Sequence, residues 1–207
     1  MRIVILADEL SYRELIPGET LHTITRVNAL NEFENMQSDA FIDLQFDGHA
    51  SRIVFLKKLS ATVLINSVPF TIKEMGAGFT RFNGWSTFLN KPIVDAFCQD
   101  EMKEKASDVF NAINKKLEWV QDSPGFITPR ILSMIINEAF YALGEGVSSK
   151  NEIDIAMKLG TGYPFGPFEW SERIGLKNVH DVMAQLAKSN LKYSPAPALI
   201  NEINQWS

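Results

Sequence analysis

The sequence predicts an α/β domain followed by an all-helical domain, and three observations support this prediction. Short apolar runs rich in β-branched residues, such as RIVILA (residues 2–7) and ATVLIN (residues 61–66), are typical of buried strands. Short helical patterns separate these runs, as expected for a mainly parallel sheet. Beyond Gly146 the apolar periodicity is helical only. We therefore predict a compact Rossmann-like α/β domain over residues 1–122 and a helical domain over residues 123–207.

Composition narrows the class of protein. The chain has 207 residues, of which 45% are apolar, so it suits one or two domains with a sizeable core. Its net charge of −5 argues against nucleic acid or an anionic membrane as the main partner. The single cysteine, Cys98, excludes an internal disulfide framework and fits a reducing compartment. The opening apolar run is too short for a signal peptide, and no segment has membrane-spanning length. We expect a cytoplasmic protein.

The elements of the first domain follow in chain order from local pattern. The segments that resemble strands cover residues 2–7, 21–27, 40–46, 61–66, 79–85 and 92–97. Short helical segments are predicted over residues 31–36 and 51–59. Residues 100–116 predict an amphipathic helix with Ala106, Val109 and Phe110 on its apolar face.

The residues after the first predicted strand bear on cofactor binding. A dinucleotide-binding turn needs closely spaced glycines, so that the backbone approaches a pyrophosphate at a helix N-terminus. Here Asp8 and Glu9 follow the strand, and no glycine occurs before Gly18. Two carboxylates would repel the phosphates. The sequence therefore predicts that no nicotinamide cofactor binds at this turn.

The second domain begins with the stretch DSPGFITPRILSMIINE, residues 122–138. Pro124 and Gly125 predict a turn, Thr128 a helix N-cap, and Pro129 the first helical position. Residues 131–143 are apolar on nearly every side, which predicts a buried central helix. Further helices are predicted over residues 150–159, 167–174, 179–189 and 197–206, with a shaped loop over residues 160–166.

This second domain resembles a known family. The runs DSPGFITPRILSMIINEA and GVSSKNEIDIAMKLGTGYPFGPFEWSERIGL are similar, in the same order, to motifs of the 3-hydroxyacyl-CoA dehydrogenase family. ATVLINSVPF, FTRFNGWSTF and KPIVDAF resemble, in outline, three strands of the family's first domain. The resemblance implies a Rossmann-like domain joined to an all-α 3-hydroxyacyl-CoA dehydrogenase C-terminal-type domain that dimerises. It also implies that NAD and an acyl-CoA meet in a cleft, where a histidine base oriented by a glutamate removes the proton of a 3-hydroxyl.

The resemblance also shows where this chain departs from the family. The catalytic histidine falls on Ser86, the orienting glutamate on Asp95, the hydroxyl-bearing serine on Val68, and an asparagine on Pro129. Abstraction of a hydroxyl proton near neutral pH usually employs histidine. None of the chain's histidines, His22, His49 and His180, lies on the segments that carry these positions.

Three other residues are candidates for substrate binding. Asn66 and Ser67 at a strand end either contact a ligand or form a turn. Arg130, like Arg81, either binds the phosphates of a CoA or is simply solvated. The loop over residues 160–167 either cradles a ligand or joins two helices.

Two classes of function remain open. The first is a non-catalytic relative, a binding or assembly protein of acyl-CoA metabolism that has no cofactor. The second is an NAD-dependent 3-hydroxyacyl-CoA dehydrogenase with a divergent site. In either case we expect a homodimer through the helical domain, because the helix from Pro129 to Leu143 has too many apolar sides to be covered by its own domain. The resemblance implies an acyl-CoA as the small-molecule ligand.

Overall fold

The computed structural model describes residues 1–205, which fold as two compact units. The first unit spans Met1–Phe126 and the second begins at Ile127. The predicted boundary after Asp122 lies four residues earlier. Residues 123–126 belong to the first unit because they pack on it: Gly125 donates its N–H to the Val68 carbonyl (2.9 Å), and the Arg81 guanidinium lies 4.0 Å from the centre of the Phe126 ring.

The first unit is built on one sheet. Within residues 1–205 the sheet has seven strands: β1 (Arg2–Leu6), β2 (Thr23–Val27), β3 (Ala40–Asp43), β4 (Thr62–Asn66), β5 (Thr80–Phe82), β6 (Ile93–Phe97) and β7 (Lys116–Trp119). Their order is β2-β1-β3-β4-β5-β6-β7. Neighbouring strands are parallel except for β5 and β6, which are antiparallel. The predicted α/β, Rossmann-like class is confirmed.

Four α-helices accompany this sheet: α1 (Glu9–Leu15), α2 (Ala50–Leu56), α3 (Ile72–Met75) and α4 (Lys103–Ala112). Two 3-10 helices, Leu30–Asn35 and Asp100–Met102, complete the unit, and the first coincides with the helical segment predicted over residues 31–36. Neither α1 nor α3 was predicted, and α3 has only four residues, too few to show a helical period. Both begin at a good N-cap, since the Asp8 side chain accepts from Ser11 and the Thr71 side chain accepts from Glu74. The helix predicted over residues 100–116 extends too far, because α4 ends at Ala112 and the chain enters β7 at Lys116, where it pairs with β6.

The second unit is helical, as predicted. Its helices are α5 (Thr128–Gly144), α6 (Lys150–Thr161), α7 (Pro167–Ile174), α8 (Leu176–Ala187) and α9 (Pro197–Gln205). The predicted end of the last helix, Trp206, lies outside the described residues. No helix within residues 1–205 is both long enough and apolar enough to cross a membrane.

The helix α5 is the centre of the second unit. It contacts α7, α8 and α9, and its residues Leu132, Ile136 and Phe140 are buried among them. The prediction that this helix is buried all round is only partly right. Ile131 and Met134 are 55% and 39% exposed, so one face of α5 remains open within this chain.

Candidate functional site

The carboxyl ends of the parallel strands form the candidate site. In an open α/β sheet a ligand binds at this edge, where the strand order reverses. In this sheet β1 lies between β2 and β3. The chain first goes from β1 to β2 on one side and then crosses to β3 on the other side, so the strand order reverses between β1 and β3. Asp8 follows β1, Asp43 ends β3, and Asn66 ends β4, so all three lie at this edge.

The turn from β1 into α1 carries two carboxylates, Asp8 and Glu9, which have partners within the chain. The Asp8 side chain accepts the backbone N–H of Ser11 (2.9 Å) and the Ser11 hydroxyl (2.7 Å). Burial raises the pKa of Asp8, but the hydrogen bonds from Ser11 outweigh it, and the net pKa is lower than usual. Glu9 pairs with Arg13 (2.8 Å) and Arg26 (3.2 Å). A pyrophosphate at this helix N-terminus would meet the Asp8 carboxylate, which already takes the N–H of Ser11, so these residues do not fit NAD.

A buried ion pair lies at the end of β3. The carboxylate of Asp43 is fully buried and accepts two bonds from Arg52, at 2.7 Å from Nε and 2.6 Å from Nη2. Burial raises the pKa of Asp43, and the bonds from Arg52 oppose that rise. Asp47 lies 3.4 Å from the same guanidinium. This cluster was not predicted, because its residues lie on a strand, a loop and a helix and form no local sequence motif.

Asn66 and Ser67, predicted either to contact a ligand or to form a turn, hold the backbone of this edge together. The Asn66 amide donates to the Leu44 carbonyl (3.1 Å) and accepts the N–H of Gly84 (2.9 Å). A Cβ on Gly84 would lie 2.6 Å from Cγ of Asn66, so this approach requires glycine. The hydroxyl of Ser67 is buried and donates to the Phe70 carbonyl (2.9 Å). A ligand that contacted either side chain would have to displace these bonds.

The positions that the resemblance assigns to catalysis have other neighbours. Ser86 donates its hydroxyl to Glu14 of α1 (3.1 Å), and the N–H of Thr87 donates to the other oxygen of that carboxylate (3.0 Å). Across the antiparallel pair of β5 and β6, the N–H of Asn83 donates to the Asp95 carbonyl (2.9 Å). Glu14 is therefore a contact of the Ser86 segment that the sequence analysis did not single out.

The remaining predicted site residues are apolar or engaged elsewhere. Val68 is fully buried, and its carbonyl accepts bonds from Arg81 and Gly125, both at 2.9 Å. Pro129 is buried in the first turn of α5. Arg130 donates to the Tyr193 hydroxyl (2.9 Å) and lies over its ring. Neither Val68 nor Pro129 offers a polar side chain.

The histidines do not form a catalytic pair at this edge. Nδ1 of His22 lies 3.3 Å from the N-terminal amine, and Nδ1 of His180 lies 3.2 Å from a carboxylate oxygen of Asp181 in α8. His49 stands directly before α2, in the loop that leaves β3, although the sequence analysis had set it aside. Its side chain is exposed. Within residues 1–205 no three His, Cys, Asp or Glu side chains are grouped so as to hold a metal ion.

Both interpretations of Arg81, a phosphate ligand or a solvated side chain, are wrong. Its side chain is fully buried and donates to the carbonyls of Ser67 (2.9 Å) and Ser123 (3.2 Å) and to the Asp122 carboxylate (2.8 Å). Burial lowers the pKa of Arg81, and the bond to Asp122 opposes the shift. Asp122 also accepts the N–H groups of Ile72 and Lys73, which begin α3. The first residue of the DSPGF motif is therefore structural.

The loop before α7 is shaped by Asp154. This buried carboxylate accepts the N–H groups of Phe168 (2.8 Å) and Glu169 (3.2 Å), the first donors of α7. A Cβ on Gly166 would lie 2.3 Å from Oδ1 of Asp154. These contacts support an architectural role for residues 160–167.

Replacing Gly166 by alanine is expected to destabilise the second unit by about 1–3 kcal/mol, because the added methyl overpacks Asp154. The backbone φ of −75° suits alanine, so the clash is the only cost. Denaturant unfolding of Gly166→Ala, Asp154→Ala and the double variant measures the effect. In the Asp154→Ala background the Gly166 change should cost markedly less. Strict additivity of the two losses would contradict this explanation.

Comparison with known proteins gives matches to the 3-hydroxyacyl-CoA dehydrogenase family. Residues 125–206 match the model of the 3-hydroxyacyl-CoA dehydrogenase C-terminal domain. A 3-hydroxybutyryl-CoA dehydrogenase of Bradyrhizobium diazoefficiens is 38% identical over 114 residues, covering 54% of this chain and 39% of the relative. The mitochondrial hydroxyacyl-coenzyme A dehydrogenase of Mus musculus is 36% identical over 161 residues, covering 75% of this chain and 51% of the relative. The chain thus spans about half or less of the length of these relatives.

The fold has solved counterparts. The crystal structure of (S)-3-hydroxybutyryl-CoA dehydrogenase from Ralstonia eutropha matches with a TM-score of 0.71 at 24% identity, over 88% of this chain and 70% of that one. This likeness supports the fold alone.

Proposed function

We propose that this chain, which belongs to the 3-hydroxyacyl-CoA dehydrogenase family, is a member without a hydride-transfer site. On this proposal it serves acyl-CoA metabolism as a binding or assembly protein. The fold and the helical unit are retained, while the groups that would hold NAD and move a proton are replaced. A fold persists readily after its site has changed.

One observation carries this proposal: the N-terminus of α1 is capped by its own aspartate. Asp8 takes the N–H and the hydroxyl of Ser11, and Glu9 adds a second negative charge. The anion site that a dinucleotide would need is therefore filled from within the chain. The position assigned to the catalytic base supports the same conclusion, because Ser86 donates to Glu14 and cannot accept a proton near neutral pH.

Neither NAD nor NADH is expected to bind the protein, because Asp8 and Glu9 repel the pyrophosphate. The experiment is a thermal-shift screen with NAD, NADH and several acyl-CoAs, followed by calorimetric titration, since a ligand of the native state raises the melting temperature. An acyl-CoA is the ligand expected to give a shift. A second assay measures the formation of NADH from NAD in the presence of 3-hydroxybutyryl-CoA. We expect that no NADH is formed. Micromolar binding of NAD, or NADH formation that scales with protein, would overturn the proposal.

A second candidate is an active NAD-dependent 3-hydroxyacyl-CoA dehydrogenase with a divergent site. The names of the relatives from Bradyrhizobium diazoefficiens and Mus musculus favour it. On this alternative Asp95 would be the family's carboxylate, and Asp95→Asn would abolish NADH formation. The same assay therefore separates the two candidates.

We also propose that the protein is a homodimer through its helical unit. Ile127, Ile131 and Met134 are exposed at intervals of four and three residues, so they form one apolar stripe at the start of α5. Ile155 and Leu159 form a second exposed pair on α6. A second copy of the chain is the simplest cover, because twofold dimers are the commonest oligomers.

Gel filtration coupled to light scattering should give a mass twice the 23.3 kDa of the chain. The double variant Ile131→Asp/Met134→Asp should remain folded and run as a monomer, because both side chains are exposed within the chain and charges in an apolar interface are costly. Asn190→Asp adds a charge at another exposed position and should leave the dimer intact. A wild-type mass of one chain at micromolar concentration would refute the dimer.

A further inference from the structure

A cavity lies in the first unit, apart from the strand ends described above. It has a volume of about 320 Å³ and is lined by the segment after α1 and by the residues that enter β6 and β7. Gly18 and Thr20 come from the first segment, Asn90 from the second and Lys115 from the third. The volume is near the lower end of the range for small-molecule sites, about 300–1,000 Å³.

Lys115 is the unusual residue of this cavity. It is only 4% exposed, and its ammonium donates to the carbonyls of Leu89 and Lys91. None of the ion pairs within residues 1–205 includes Lys115. Burial lowers the pKa of Lys115, and no neighbouring carboxylate opposes that shift. A buried cation without a counter-charge is costly, so an anion that entered the cavity would relieve that cost.

The remaining lining residues define the anion. An ammonium has three donors, and two are used by the carbonyls, so one N–H remains for a ligand. Within residues 1–205 no hydrogen bond uses the side-chain amides of Asn90 and Asn114, which stand exposed at the rim. The rest of the wall includes Ile16 and Ile113, which are apolar. One positive charge with an apolar wall suits a monoanion with a short hydrocarbon tail better than a phosphate dianion.

We propose that this cavity binds the carboxylate of a short aliphatic acid, with the anion paired to Lys115 and the hydrocarbon tail against Ile16 and Ile113. The Asn90 and Asn114 amides would donate to the carboxylate from the rim. This site uses none of the residues that support the proposed function. Its test therefore stands or falls independently of cofactor or acyl-CoA binding.

The test is a calorimetric and thermal-shift titration of the full chain with acetate, butyrate and hexanoate, against chloride and inorganic phosphate at equal ionic strength. Butyrate should saturate and raise the melting temperature. Affinity should increase from acetate by about fourfold for each methylene that is buried, until the cavity is full. Absence of saturable carboxylate binding, or a response to phosphate alone, would overturn the proposal.

Variants locate the site. Lys115→Met removes the ammonium but keeps the length of the side chain, and should reduce butyrate affinity at least tenfold, about the value of one charge-assisted hydrogen bond. Lys116→Met removes an exposed lysine next to it and should have no effect. If Lys115→Met does not fold, Asn90→Asp decides, because Asn90 is exposed at the rim and a carboxylate there would repel the bound acid. Butyrate binding unchanged in Asn90→Asp would refute the site.

Discussion

Replacing Arg81 by methionine is expected to lower the free energy of unfolding of the first unit by about 3–5 kcal/mol, the usual cost of breaking a buried ion pair. The guanidinium is fully buried and holds the carbonyls of Ser67, Val68 and Ser123 together with the Asp122 carboxylate. Methionine fills part of the same space but donates nothing. Three buried carbonyls and a carboxylate then lose a donor, and each such loss is costly.

Denaturant unfolding measures this effect, followed by fluorescence of Trp85, which is buried in the same unit. Arg81→Lys keeps the charge but lacks the planar fork, and should lie between wild type and Arg81→Met. Arg13→Met is the matched control, since its side chain is 74% exposed and its pair with Glu9 joins neighbouring turns of α1. That control should cost no more than about 0.5 kcal/mol. Equal losses in Arg13→Met and Arg81→Met would show that the buried cluster does not stabilise the unit.

Replacing Phe140 by alanine is expected to destabilise the second unit by about 3–5 kcal/mol. Phe140 is fully buried in α5, and its ring meets that of Phe168 edge to face, with centroids 4.9 Å apart. The Lys150 ammonium lies 5.7 Å from the Phe140 ring. Alanine leaves a cavity between α5 and α7 and removes both aromatic contacts.

Unfolding of the second unit can be followed by fluorescence of Trp170, which stands edge to face with Phe165. Phe140→Leu keeps more of the volume and should lose less stability than Phe140→Ala. Val147→Ala removes apolar atoms from a side chain that is 69% exposed, and should change stability little. A Phe140→Ala protein as stable as Val147→Ala would contradict the assignment of α5 as the core of the unit.

Local pattern was sufficient for the order and class of most elements. The run RIVILA predicts β1 because β-branched apolar residues fit a buried strand, and residues 2–6 form it. Ser149 caps α6, where its side chain accepts from Glu152, in agreement with the predicted start of that helix. Helix-only periodicity after Gly146 predicted the helical second unit. Each of these signals lies within a few neighbouring residues, so the sequence alone is enough to predict the element.

The sequence alone was also enough to predict departures from the family, because they depend on residue type at the positions that the resemblance assigns. On that resemblance Asp8 and Glu9 stand in place of glycines, Ser86 in place of histidine and Pro129 in place of asparagine. Their consequence for activity stays a prediction, which the titrations with NAD and acyl-CoA test.

Only the tertiary structure decided which polar groups are buried and what they contact. Arg81 was predicted either to bind phosphates or to be solvated, and no prediction was made for Lys115; both side chains are buried, one with Asp122 and the other against backbone carbonyls. Asn66 was predicted either to contact a ligand or to form a turn, and only the structure shows that its amide joins the strand ends near Leu44 and Gly84. The physical reason is the same in each case. A buried polar group is satisfied by whatever partner the fold brings to it, and here those partners lie tens of residues away, beyond the reach of any local pattern.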